Sequence, residues 1–243
     1  TGVRTTSVNG VNVKAGDIYS GPGSELKFTE TQYLFGGGAF AFQQRVSGLA
    51  FLPVNNTATG YGSLMVFGRN RVDSVRAEVA SRDLWQAIPG FITQVLDDVG
   101  TLSHASVTAV NQDLYWRDAN GEVRSLRSAA QDAASPGNSG LSREVSRITD
   151  FETDAWLEHC SGIFFDNRLL FTASPYRTPA GMVAFKKLIS LDCAPLASMR
   201  GKASPAYDGE WQGLNFVRLV SGRFDGRSRA FAIAQSAAGE NSL

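Results

Sequence analysis

The chain has 243 residues, 43% hydrophobic and 19% charged, a globular composition that excludes disorder as its main state and suffices for a real core. Lysine plus arginine equals aspartate plus glutamate at 23 each, so the neutral balance gives no general electrostatic case for nucleic acid or an anionic membrane. No apolar run approaches the length of a membrane-spanning helix.

The first ten residues, TGVRTTSVNG, carry no signal-peptide pattern, and the missing initiator methionine reads as a piece of a longer chain. From Ser7 to Glu30 apolar and polar residues alternate, broken by Asn9-Gly10, Ala15-Gly16 and Gly21-Pro22-Gly23, which predicts short strands and turns. Gly36 to Gly38 lack the Gly-Lys-Ser/Thr ending of a phosphate loop and the spacing of a dinucleotide fingerprint, so they read as close-packed or flexible backbone.

Four later segments share one pattern of strand, tight turn, strand. Their turns fall near Arg69-Asn70, Asn120-Gly121, Asp166-Asn167 and Asp225-Gly226, within Ser63–Glu78, Gln112–Leu126, Gly162–Ser174 and Asn215–Gln235. Their spacings are about 51, 46 and 59 residues, near the period of roughly 40–50 residues typical of propeller blades. The expected fold is mainly β: a β-propeller or a propeller-like stack of antiparallel sheets, with a β-sandwich as the structural alternative. The apolar runs of FFDNRLLFTASP, Phe164 to Pro175, lack polar alternation and predict strands covered on both faces.

Two stretches predict helical insertions, near 81–98 and 141–160, in an otherwise single β-rich domain over 1–243. The first places Leu84, Trp85, Ile88, Ile92, Val95 and Leu96 at helical spacing, broken or restarted near Pro89. The second places Leu141, Val145 and Ile148 on one face, with Ser142 as N-cap, then Trp156 and Leu157 on a second short helix. Ala129 to Gly140 reads as a polar loop between elements.

Chemistry-bearing residues are sparse. His104 and His159 are the only histidines, and no metal-ligand spacing surrounds them. Cys160 adjoins His159, but neighbouring side chains do not face each other on a helix. Cys160 and Cys193 read as two reduced, buried thiols. GNSGL, Gly137 to Leu141, is a turn-forming stretch rather than a nucleophile elbow. The carboxylates Asp97, Asp98, Glu152, Asp154, Glu158 and Asp208 read as solvated faces and caps. No catalytic, cofactor-binding or metal-binding residue is expected.

Arginine supplies most of the basic charge, which suits partner surfaces, although a GC-rich genome produces the same bias. Arg223, Arg227 and Arg229 cluster with Phe224 and Phe231, and Arg143 and Arg147 lie one helical turn apart; neither set is a recognised nucleic-acid motif. Tyr176, Tyr207 and Trp211 read as loop aromatics suited either to partner contacts or to packing between neighbouring sheets.

Five phrases together resemble large structural proteins of tailed bacteriophages, of the kind that includes the tail nozzle (tail tubular) proteins of short-tailed phages. They are FTETQYLFGGGAF (Phe28 to Phe40), VNQDLYWRDANGEVRSLRSA (Val110 to Ala129), LSREVSRITD (Leu141 to Asp150), FFDNRLLFTASP and PAYDGEWQG (Pro205 to Gly213). The similarity runs in order from about residue 13 to residue 234, and none of the phrases is a catalytic signature. The resemblance implies a propeller-containing virion protein, assembled in the host cytoplasm and set at the distal end of a short tail. Its implied partners are copies of itself in a six-fold ring, other tail proteins such as adaptor and fibre, and DNA in transit through the channel. It implies no enzyme activity, no cofactor and no membrane-spanning segment. The competing expectations are a receptor- or glycan-binding propeller acting as a tail adhesin, and behind it a propeller glycoside hydrolase lacking the usual motifs.

Overall fold

The computed structural model describes residues 2–4, 7–8, 11–12, 17–20, 38–53, 62–76, 89–132, 140–141, 146–149, 151–194, 205–236 and 241–242. The chain divides into two compact units, Thr1–Gly100 and Thr101–Leu243. The described residues are mainly β, in antiparallel sheets.

The first unit opens with β1 (Gly2–Arg4), β2 (Ser7–Val8), β3 (Val11–Asn12), β4 (Asp17–Ser20) and β5 (Gly38–Ala41). β1, β4 and β5 form one sheet, and β2 pairs with β3. A four-stranded meander follows, of β6 (Gly48–Phe51), β7 (Leu64–Phe67), β8 (Arg71–Val75) and β9 (Ile92–Asp97), paired in chain order. The expected hairpin at Arg69-Asn70 is the β7–β8 connection. Val46, Val66, Val75 and Phe91 form the core of this sheet.

The helix expected near 81–98 is corrected over its second half: residues 92–97 are strand β9. Residues 81–88 lie outside the described residues. A bulge offsets the pairing, with Val72 opposite Leu96 but Asp73 opposite Gln94. The extra residue, Val95, breaks the two-residue alternation. Apolar positions 92, 95 and 96 therefore imitate helical spacing on a strand. The β-branched Ile92, Thr93 and Val95 favour the strand locally.

Gly100 closes this unit under tight steric control. A Cβ there would overlap the carbonyl oxygen of Gly68 and lie 2.8 Å from the carbonyl carbon and oxygen of Arg69. These are backbone atoms, which cannot rotate away. Gly100→Ala is expected to cost about 3 kcal/mol, at the upper end for overpacking, read as a lowered urea midpoint; an unchanged midpoint would show that the two backbones are not held together.

The second unit is built on β10 (Thr108–Val110), β11 (Asp113–Arg117), β12 (Val123–Ser125), β13 (Gly162–Phe165), β14 (Arg168–Arg177), β15 (Val183–Asp192), β16 (Ala206–Phe224), β17 (Arg227–Gln235) and β18 (Asn241–Ser242). β10 to β12 form a three-stranded sheet and β13 to β18 a six-stranded one, each in chain order. The six-stranded sheet curls until β13 packs against β16 and β17, so it is nearly closed like a barrel. The last two expected hairpins lie in this one sheet rather than in separate blades.

Their turns follow the expected chemistry. Asp166 and Asn167 take φ of 49° and 58°, and Asp225 and Gly226 take 51° and 71°, the left-handed pair that a two-residue hairpin demands. β14 is covered on both faces, as its sequence predicts. Leu169, Phe171 and Ala173 meet Val110, Tyr115 and Val123 of the three-stranded sheet, together with Ile189, Leu191 and Cys193. Leu170 points the other way, to Cys160, Ile163, Phe185, Leu188, Phe216 and Leu219 inside the curl.

Helices are short: α1 (Leu126–Asp132), α2 (Ser146–Thr149) and α3 (Asp154–Leu157). α1 runs into the stretch expected to be a loop from Ala129. The insertion near 141–160 is present as α2 and α3, and Leu141 and Ile148 pack on the core as expected. Ser142 and Val145 lie outside the described residues.

Candidate functional site

The second unit holds two polar arrangements, one enclosed and one exposed. The enclosed one centres on Arg117, the last residue of β11, whose side chain is 0% exposed. Its Nε and Nη2 donate to the carbonyl of Gly121 at 3.1 and 2.6 Å, and its Nη1 donates to the carbonyl of Thr172 at 2.7 Å. Nη2 also pairs with Glu152 Oε2, on the connection between α2 and α3. Glu152 Oε1 accepts the amide of Ser174 at 2.8 Å, and Ser174 sits at φ 57°. A buried carboxylate thus captures a strand residue in left-handed backbone, a conformation that needs support from its surroundings. Burial pushes the Glu152 carboxyl above the usual carboxylate range, and Arg117 and the Ser174 amide pull it back only in part.

Hydroxyls surround this pair. Thr101 Oγ1 donates to the Arg117 carbonyl at 2.7 Å, and Ser103 Oγ to the Cys160 carbonyl at 2.7 Å. The Ser161 amide donates to Thr172 Oγ1 at 2.9 Å, and Ser161 Oγ accepts the Leu219 amide at 3.0 Å. Ser, Cys, Arg and Glu so close together superficially suggest a nucleophile site. The partners are mostly backbone groups of adjoining elements, and the residues are buried. The arrangement ties β11, β14, β16 and the helical connection together.

The two cysteines fit that reading. Both are free and buried. Burial pushes each thiol up to about 11, with Glu152 adding to the effect at Cys160 and Asp192 at Cys193. Since the thiolate is the nucleophile, both are expected to react about 100-fold more slowly with an aromatic disulfide reagent in the native protein than in urea. Equal rates would contradict their burial. His159 is exposed beside buried Cys160, so the two do not face each other.

The remaining sequence candidates are scattered. Asp154 is half-buried, Glu158 is exposed and Glu152 is enclosed, so the three form no carboxylate pair. Asp208 accepts from Arg168 Nε at 2.7 Å and from Ser190 Oγ at 3.3 Å. The hydrogen bond from Arg168 holds its carboxyl below the ordinary range, the wrong direction for a general acid. Among the described residues, no three His, Cys, Asp or Glu side chains are grouped to hold a metal. Tyr176 and Tyr207 are half-buried on strands rather than on loops, and Lys186 Nζ lies 5.1 Å from the Tyr176 ring centroid. Trp211 is exposed, on β16. Arg147 is exposed on α2; Arg143 and Asn138 of the GNSGL stretch lie outside the described residues.

The exposed arrangement is the far end of the β16–β17 hairpin. β15 pairs with β16 only as far as Phe216, and β18 pairs with β17 only at Ala234 and Gln235. Beyond these points Arg218–Phe224 and Arg227–Ile233 continue as a two-stranded arm. Every residue from Val220 to Ala230 is exposed. Seven residues in each strand reach about 24 Å. A bulge anchors the base: Phe216 pairs with Ala234 and Arg218 with Ile233, leaving Val217 as the extra residue. Phe216 and Leu219, three apart, therefore share one core, although an unbroken strand would point them oppositely.

Past the bulge the arm has two unlike faces. Leu219, Ser221, Arg223, Ser228, Ala230 and Ala232 share one, whose inner end packs on the core. The other carries Val220, Phe224, Phe231 and Ile233 interleaved with Arg218, Arg227 and Arg229. Phe224 is 65% exposed and Val220 41%. Among the described residues none of the four arm arginines has a carboxylate partner within ion-pair distance. No helix of the described residues is long and apolar enough to cross a membrane. No protein-family model matches the chain, and neither does any curated protein sequence with which it was compared.

Proposed function

We propose that this protein is a structural component of a short bacteriophage tail, a subunit of a nozzle-type ring through which the genome leaves. The observation that carries the reading is the arm: an arginine- and aromatic-bearing hairpin held out from the body, while Arg117, Glu152 and both cysteines are buried. Exposed aromatics and arginines are the residue types enriched in interface cores. The ordered phage-like phrases from about residue 13 to residue 234 supply the assembly in which such a subunit works. The four-stranded meander β6–β9 has the strand number and order of one propeller blade, and we read it as such.

A map of intact particles tests the proposal. Density for this chain repeated six-fold around a channel at the end of a short tail is expected. A particle without it, or a purified chain that hydrolyses oligosaccharides with steady turnover, would overturn the proposal. Exposed Trp211 favours glycan binding as the second reading, since sugars stack on such rings; binding on a glycan array that is lost in Trp211→Ala would support it.

A further inference from the structure

We infer that the β16–β17 arm is the clasp that joins one copy of this chain to the next, head to tail. The inference rests on the ring reading above and adds which element makes the contact. A two-stranded hairpin alone in water is marginally stable, so a face bearing Val220, Phe224 and Phe231 calls for a cover. That face has the residue types of an interface anchor, aromatic and apolar side chains interleaved with arginines along the arm.

Charge identifies the occupant. Arg218, Arg223, Arg227 and Arg229 against Asp225 give the arm a net charge of +3. The whole chain is neutral, so the rest of it carries −3. A copy therefore offers both halves of a complementary pair, a cationic arm and an anionic body. Such a contact uses different patches on the two partners, which makes it heterologous, and heterologous contacts close into rings when the rotation allows. Arginines and aromatics sharing one face would also suit nucleic acid, whose bases stack on such rings; the anionic remainder of the chain favours a second copy, and duplex binding is the outcome that decides against it.

Light scattering on the full chain, across protein concentration and salt, tests the clasp against Phe224→Ser and the pair Arg227→Glu with Arg229→Glu. These residues are exposed, so thermal melting is expected to match the wild type and show that the variants fold. Each variant is expected to weaken self-association about 30-fold, the size of a hot-spot loss. Salt is expected to weaken the wild type more than the double-glutamate variant. An oligomer of unchanged mass and affinity in both variants would overturn the clasp and leave the ring reading standing. A wild type monomeric at every concentration would overturn the clasp together with self-assembly, while the particle map still decides the tail reading. Binding of a 30-base-pair duplex, lost in the charge variants while oligomer mass stays constant, would assign the arm to DNA and overturn the clasp.

Discussion

Replacing Arg117 with methionine is expected to destabilise the protein by about 3–5 kcal/mol, the cost of breaking a buried ion pair from one side. Domains of ordinary stability hold about 5–15 kcal/mol in total, so this variant approaches unfolding. The guanidinium donates to the carbonyls of Gly121 and Thr172 and neutralises the carboxylate of Glu152 at once. Its loss strands all three where water does not reach. Glu152→Leu alone is expected to cost a similar amount, by leaving Arg117 charged and the Ser174 amide unbonded. The double variant, Arg117→Met with Glu152→Leu, separates charge from hydrogen bonding. It removes both charges together, a change that is often neutral in other proteins. Here it still leaves the Gly121 and Thr172 carbonyls and the Ser174 amide without partners, at about 1–3 kcal/mol for each buried group. The double variant should therefore cost clearly less than the sum of the singles and still fall below the wild type. Urea midpoints of the four proteins decide it. Additive losses would mean that the two side chains act independently, against the geometry.

Local chemistry made some of this legible in sequence, and distance hid the rest. Asp166-Asn167, Gly121 and Asp225-Gly226 mark their turns because few residues accept left-handed backbone. The arm's arginines and phenylalanines were visible as a cluster, and pairing across one short turn places them together without long-range information. The pairing of β15 with β16 is different. It brings Phe185 opposite Phe216, and nothing in either strand names the other. Turn spacing alone consequently suggested separate blades, where one sheet continues. Glu152 carries the same lesson on a smaller scale. Among the nearby Asp154 and Glu158 it reads as a solvated carboxylate, and only the fold brings Arg117 to it. A usable signal does exist at the other end. Arg117 ends the run Asp113-Leu114-Tyr115-Trp116-Arg117, whose residues are all buried, and the Asp118 turn follows at once. A charge at the end of so apolar a run calls for a buried partner.

The Gly162–Phe171 pair should show strong coupling in a double-mutant cycle. The two residues are cross-strand partners in β13 and β14, and the Phe171 ring folds over the space where Gly162 has no side chain. A Cβ at 162 would overlap that ring and lie 3.1 Å from the Ser106 carbonyl. Gly162 is thus required for room, since its φ is not left-handed. Phe171 is fully buried between Val110, Tyr115 and Ile189, so its ring cannot step aside. Gly162→Ala alone is expected to cost about 3 kcal/mol by overpacking. Phe171→Ala alone is expected to cost about 3–5 kcal/mol through lost burial and the cavity left behind. In the double variant the new methyl enters the vacated space, and the overlap that made the glycine necessary is gone. Its loss should fall short of the sum by about 1–3 kcal/mol, the range for residues in direct contact. Strict additivity in urea denaturation would mean that the ring leaves Gly162 free. The backbone of β13 would then be held in place by hydrogen bonding alone, and the packing of this sheet on the three-stranded one would not depend on Gly162 making room for the ring.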